Sequence, residues 1–109
     1  MKQKQKRKRK VFVVNKSSHD YSAAKLFGEL VFMTEGSLSR FACSRMNRIF
    51  ELYLENSSED DYLLISGMNI MCSLACGLFA SKHGRLNLLI FNKSTFNKGN
   101  YVERTVVFN

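Results

Sequence analysis

Four short apolar runs punctuate the chain: Val11–Val14, Leu30–Met33, Tyr62–Ile65 and Leu86–Phe91. Each is too short for a buried helix and too continuous for a strand with one wet face. Such runs, rich in β-branched and aromatic residues, read as strands covered on both sides, the habit of a parallel sheet. Parallel strands need long crossovers, and helix signals fill the gaps between them. Ser18 or Asp20 is placed to cap a helix over 21–27 that Gly28 ends. A longer helix is expected over 39–55, with Phe41, Met46, Ile49, Phe50 and Tyr53 on one stripe. A third, over 68–82, is apolar on most faces and meets Gly84 as its C′ residue.

The last segment has a different pattern. Val102, Arg104, Val106 and Phe108 alternate with Tyr101, Glu103, Thr105 and Val107, as in a half-exposed edge strand. The polar connection 92–100, with Gly99, suits a hairpin with a long loop. The order is therefore β-α-β-α-β-α-β-β. It specifies a small three-layer, Rossmann-like α/β domain with a mostly parallel sheet and an antiparallel C-terminal edge strand.

The 109 residues suit one domain, and a 45% hydrophobic content argues against disorder throughout. The net charge of +8 is unevenly spread. Residues 1–10 hold Lys2, Lys4, Lys6, Arg7, Lys8, Arg9 and Lys10 and no acid, while the rest carries ten basic and nine acidic side chains. We expect a disordered basic tail over 1–10 and a single domain over 11–109. The tail suits DNA or RNA phosphates without reading sequence, and in a eukaryotic host it also suits a nuclear address. No secretory leader pattern follows the basic start, and the stretch 62–80 is too polar for a membrane span. Cys43, Cys72 and Cys76 form an odd set that does not read as a disulfide framework. The expected compartment is intracellular and cytoplasmic.

In an open parallel sheet ligands sit beyond the carboxyl ends of the strands. Here those ends lead into the loops 15–20, 34–37 and 66–69, each before a helix start suited to phosphate or carboxylate. Lys16, Ser17, Ser18, Thr34, Ser37, Ser66, Gly67 and Asn69 are the ligand-binding candidates. The strand–Ser66-Gly67–helix unit resembles the phosphate-binding corner of Rossmann-like nucleotide binders, which implies a phosphate there. His19 and Asp20 are the candidate catalytic acid or base. The same residues also suit ordinary caps and turns. There is no dinucleotide glycine fingerprint, P-loop or nucleophile elbow. Cys72 and Cys76 read as core filler, and neither metal nor cofactor is expected. Glu59-Asp60-Asp61 reads as a solubilising turn. Lys82 and His83 suit the negative end of their helix dipole.

Three functions compete on these grounds. The first is a non-enzymatic protein that binds a nucleotide or phosphorylated ligand at the carboxyl edge, its tail adding non-specific nucleic-acid affinity. The second is an accessory protein of viral or mobile-element type that joins a protein partner or a second copy through 101–108. The third is a small enzyme that acts on a phosphorylated or nucleotide substrate with His19 and Asp20.

Overall fold

The computed structural model describes residues 7–93 and 99–108. Its strands are β1 (Lys10–Val13), β2 (Glu29–Phe32), β3 (Tyr62–Leu64), β4 (Arg85–Asn92) and β5 (Asn100–Val107). Two α-helices join them, α1 (Cys43–Leu54) and α2 (Asn69–His83), with a 3-10 helix at Ser22–Leu26. The sheet runs β2-β1-β3-β4-β5. The first four strands pair in parallel, and β5 pairs with β4 antiparallel, from Arg85 opposite Val107 to Asn92 opposite Asn100. This is a doubly wound order, and its topological switch point lies between β1 and β3.

Right-handed crossovers fix the layers. The chain steps one way from β1 to β2 and the other way from β2 to β3 and on to β4. The 3-10 helix therefore lies on one face, and α1 and α2 on the other. On the α-helical face Phe12, Val14, Met33 and Leu63 pack against Phe50 of α1 and Phe79 of α2. Phe12, Phe50 and Phe79 are each at most 2% exposed, and burying such a ring stabilises by about 1.5–3 kcal/mol. On the opposite face Val11, Val13, Tyr62, Leu64 and Leu89 pack with Tyr21, Ala24 and Tyr101. The three layers are thus unequal. The segment expected as a helix over 21–27 forms only a 3-10 turn, too short to cover the sheet alone.

Two local expectations are corrected. The helix expected from residue 39 begins at Cys43, because Ser39 first closes a turn on Phe41 and Ala42. Phe41 falls outside the apolar stripe and is 79% exposed. The acidic turn is not merely solubilising. Asp61 is fully buried, and its carboxylate accepts both guanidinium Nη atoms of Arg7, at 2.7 and 2.9 Å, with the backbone N–H of Ser58 and of Lys10. Burial pushes this carboxyl up, but the Arg7 and backbone hydrogen bonds outweigh it and hold its pKa below the ordinary value.

Helix ends are stitched across elements. Gly84 takes φ +70° at the end of α2, a conformation that favours glycine. The Lys82 ammonium reaches past its own helix to the Leu54 and Glu55 carbonyls that end α1. His83 Nε2 lies 2.8 Å from Ser57 Oγ, its ring against Phe79. Burial and then Lys82 lower its pKa, so it serves as a neutral hydrogen-bonding group, not the expected dipole cation.

Candidate functional site

The switch point is where a doubly wound sheet ordinarily opens a cleft. Here its polar groups engage each other. The Asn15 N–H donates to Ser66 Oγ at 3.3 Å, and Ser66 Oγ donates back to the Asn15 carbonyl at 2.8 Å. Asn15 Nδ2 donates to the Gly36 carbonyl, while Thr34 Oγ1 lies 2.7 Å from both Asn15 Oδ1 and the Val14 carbonyl. Gly67, at φ +96°, leaves room for this latch: a Cβ there would stand 2.7 Å from that of Asn15. Asn15 and Thr34 are each 8% exposed, so the network closes the crevice.

The candidate residues are distributed over three hollows. Lys16, His19 and Asp20 line a groove of about 940 Å³ on the 3-10 face, beside the edge strand β2. Ser17, His19 and Ser66 line a smaller hollow of about 220 Å³. Gly67 and Asn69 line a third, with Arg40 and Phe41. Thr34 is buried in the latch, and Ser18 and Ser37 are exposed and line none of these hollows. Asp20 Oδ1 accepts the Ser22 N–H at 2.9 Å, a turn bond that opens the 3-10 helix. The His19 ring stands edge-on to Phe91 at 4.5 Å and to Tyr21 at 5.2 Å. His19 and Asp20 are thus each engaged in local packing and turn structure.

The groove gathers residues far apart in sequence. Lys8 and Arg9 enter it from the N-terminal segment, Lys16 from the loop after β1, and Lys25 from the 3-10 helix. Tyr21, Phe27 and Phe32 share the lining. Lys16 Nζ sits 4.9 Å from the centre of the Phe32 ring and 3.7 Å from Glu35, a solvated pair that leaves the ammonium accessible. Arg9 reaches the Tyr62 hydroxyl at 3.4 Å, and that hydroxyl donates to Glu103 at 2.6 Å. Of the expected tail cations, Arg7 is paired with Asp61, Lys10 opens β1, and Lys2, Lys4 and Lys6 lie outside the described residues. Lys25, Phe27 and Phe32 were not among the sequence candidates. The alternation in β2 puts Leu30 and Phe32 on one face, a signal that could have nominated Phe32.

The smaller hollow holds an unusual group. Tyr101 is 6% exposed, and its buried hydroxyl has no hydrogen-bond partner among the described residues. The neighbouring Tyr21 hydroxyl, by contrast, donates to the Asn15 carbonyl at 3.1 Å and accepts the Ser17 N–H at 3.0 Å.

The model of the family described as Phage Pam3 gp32-like protein matches residues 3–107, nearly the whole chain. The chain belongs to this family. No curated protein and no solved structure matches it. The chain is thus a small phage-type α/β protein, the kind of setting named in the second expectation. Among its described residues, no helix is long and apolar enough to cross a membrane, and no group of three or more His, Cys, Asp or Glu residues could hold a metal ion.

Proposed function

We propose that this phage-type protein is a non-enzymatic accessory factor that binds nucleic acid along the groove on the 3-10 face. One observation carries the reading: Lys8, Arg9, Lys16 and Lys25 line a single groove with Tyr21, Phe27 and Phe32, where the basic N-terminal segment joins the fold. Cations track a phosphate backbone, and aromatic rings between them offer surfaces for bases. The domain's near-neutral total charge does not oppose this, because association responds to the local field. The reading favours a groove along the sheet's flank over a ligand cleft at the switch point, where Asn15, Ser66 and Thr34 hydrogen-bond to one another.

With about five phosphate contacts, log K against log salt should fall with a slope of roughly −4. A chain lacking residues 2–6 and carrying Lys16→Gln and Lys25→Gln should lose most of that slope and keep its circular dichroism. The truncation spares Arg7, whose pair with Asp61 is structural. An unchanged slope would refute the assignment.

A second reading rests on β5. Among the described residues this eight-residue edge strand pairs with β4 alone, and Val106 and Val107 at its end and Phe108 after it are 44%, 60% and 51% exposed. A long, apolar edge invites strand addition by a protein partner. Val107→Lys should abolish self-association measured by sedimentation if that partner is a second copy; a wild-type chain that is monomeric at high concentration rules out the second copy.

A further inference from the structure

The hollow at Tyr101 has the size, walls and polar handle of a pocket for one aromatic ring. It lies at the ends of β3 and β4, beside Ile65 and Phe91, and is lined also by Ser17 and His19 of the loop after β1. Its volume is about 220 Å³. That exceeds the roughly 150 Å³ apolar cavity that admits benzene and falls below the roughly 300 Å³ at which sites for drug-sized ligands begin. The space therefore suits a single ring and not a whole nucleotide. Its walls are largely rings: His19 stands edge-on to Phe91 and Tyr21, and Phe91 stands edge-on to Tyr101 at 5.5 Å.

The Tyr101 hydroxyl marks what that ring must carry. Buried hydroxyls are ordinarily hydrogen-bonded, and leaving one without a partner is costly. Replacing the group with the isosteric Phe would remove that cost, so its placement asks for an acceptor delivered from outside. Burial, with Tyr21 and Asp20 nearby, raises the phenol's pKa to about 12. The group stays protonated at neutral pH and acts as a donor. Ser17 and Ser66 add hydroxyls to the same lining.

His19 and Tyr21 line both this hollow and the basic groove, so the two lie side by side. We propose that the Tyr101 hollow receives one unstacked base of a single strand whose phosphates lie on the groove cations, the Tyr101 hydroxyl donating to a carbonyl of that base. This rests on the groove reading above. A base inside a duplex cannot reach such a hollow, so the site selects single strands.

The test uses the full chain and three probes of equal length: oligodeoxythymidine of roughly 12 nucleotides, within the usual site size of single-strand binders, its duplex with oligodeoxyadenosine, and an abasic strand. Anisotropy should show oligodeoxythymidine bound about tenfold or more tightly than the other two, as one stacked base provides. Tyr101→Phe should weaken that binding roughly five- to tenfold, as loss of one hydrogen bond does, without changing the salt slope or the affinity for the abasic strand. Its thermal midpoint should equal or exceed that of the wild type. His19→Ala should cost oligodeoxythymidine roughly tenfold. Equal affinity for all three probes with a normal salt slope would overturn the base pocket and leave the groove reading standing. No binding of any probe would overturn both. A lowered thermal midpoint in Tyr101→Phe would mean that the hydroxyl has a partner within the chain, and would overturn the pocket.

Discussion

Replacing Asp61 with Ala tests the account of how the N-terminal segment is fastened to the domain. The carboxylate is fully buried and takes four donors, two from Arg7 and one each from the Ser58 and Lys10 backbones. Ala removes every acceptor at once. The two backbone N–H groups lose charge-assisted bonds worth about 1.5–3 kcal/mol each, partly recovered where water can enter. The Arg7 side chain is 40% exposed, so its freed guanidinium returns to solvent, and its share resembles an exposed pair at about 0.2–1 kcal/mol. The expected loss for Asp61→Ala is about 3–4 kcal/mol. Arg7→Ala leaves Asp61 its two backbone donors but strips two hydrogen bonds from a buried carboxylate, so it should cost more than an exposed pair, about 1–2 kcal/mol. At about 4 °C per kcal/mol for a domain of this size, the thermal midpoints should drop by roughly 12–16 °C and 4–8 °C. Urea melts of both variants and of the double variant, with m-values compared, measure this. The double variant should nearly match Asp61→Ala alone, because without the carboxylate Arg7 keeps just an exposed bond to the Asn56 carbonyl at 3.1 Å. An Arg7→Ala loss equal to that of Asp61→Ala would refute the view that the backbone donors dominate.

Two further outcomes follow from the titrating groups. Asp61 has a lowered pKa in the fold, so its contribution is fully present above the unfolded value near 3.8 and fades as pH falls below it. His83 is also lowered, so stability should slip as pH drops below 6.5 and level off beneath its folded pKa. Urea midpoints across pH should show both steps, the upper one vanishing in His83→Gln; an upper step that survives there contradicts the role given to His83. Burial, with Cys72 nearby, raises the Cys76 thiol to about 11, and burial also raises Cys72, whereas Cys43 is exposed. Alkylation near neutral pH, read by mass spectrometry, should label Cys43 first and the half-buried Cys72 and Cys76 more slowly; labelling of Cys76 as fast as Cys43 would contradict its packing.

Much of this architecture was legible from local pattern alone. The four continuous apolar runs became the four parallel strands, and the alternation over 101–108 became the antiparallel edge. The elements end within a few residues of where the glycines and polar turns put them, the late start of α1 aside. These features repeat at short range, with a period of two or 3.6, and need no knowledge of distant contacts. The candidate site was less legible. Cap-rich loops look alike whether they hold a ligand or each other, and only their approach in space decided that Asn15, Ser66 and Thr34 would close on one another.

Sequence by itself determined the order of elements, the direction of the strands and the concentration of charge at the N-terminus. Tertiary structure alone decided which charges stay accessible. Arg7 and Asp61 lie 54 positions apart and meet because β1 and β3 are neighbours in the sheet. Lys8, Arg9, Lys16 and Lys25 share a groove because a right-handed crossover lays β2 beside β1 under a single 3-10 turn. Tyr101 reads as an ordinary strand residue until its hydroxyl is found buried without a partner among the described residues. Each depends on which strands become neighbours, a long-range packing outcome that residue spacing does not encode.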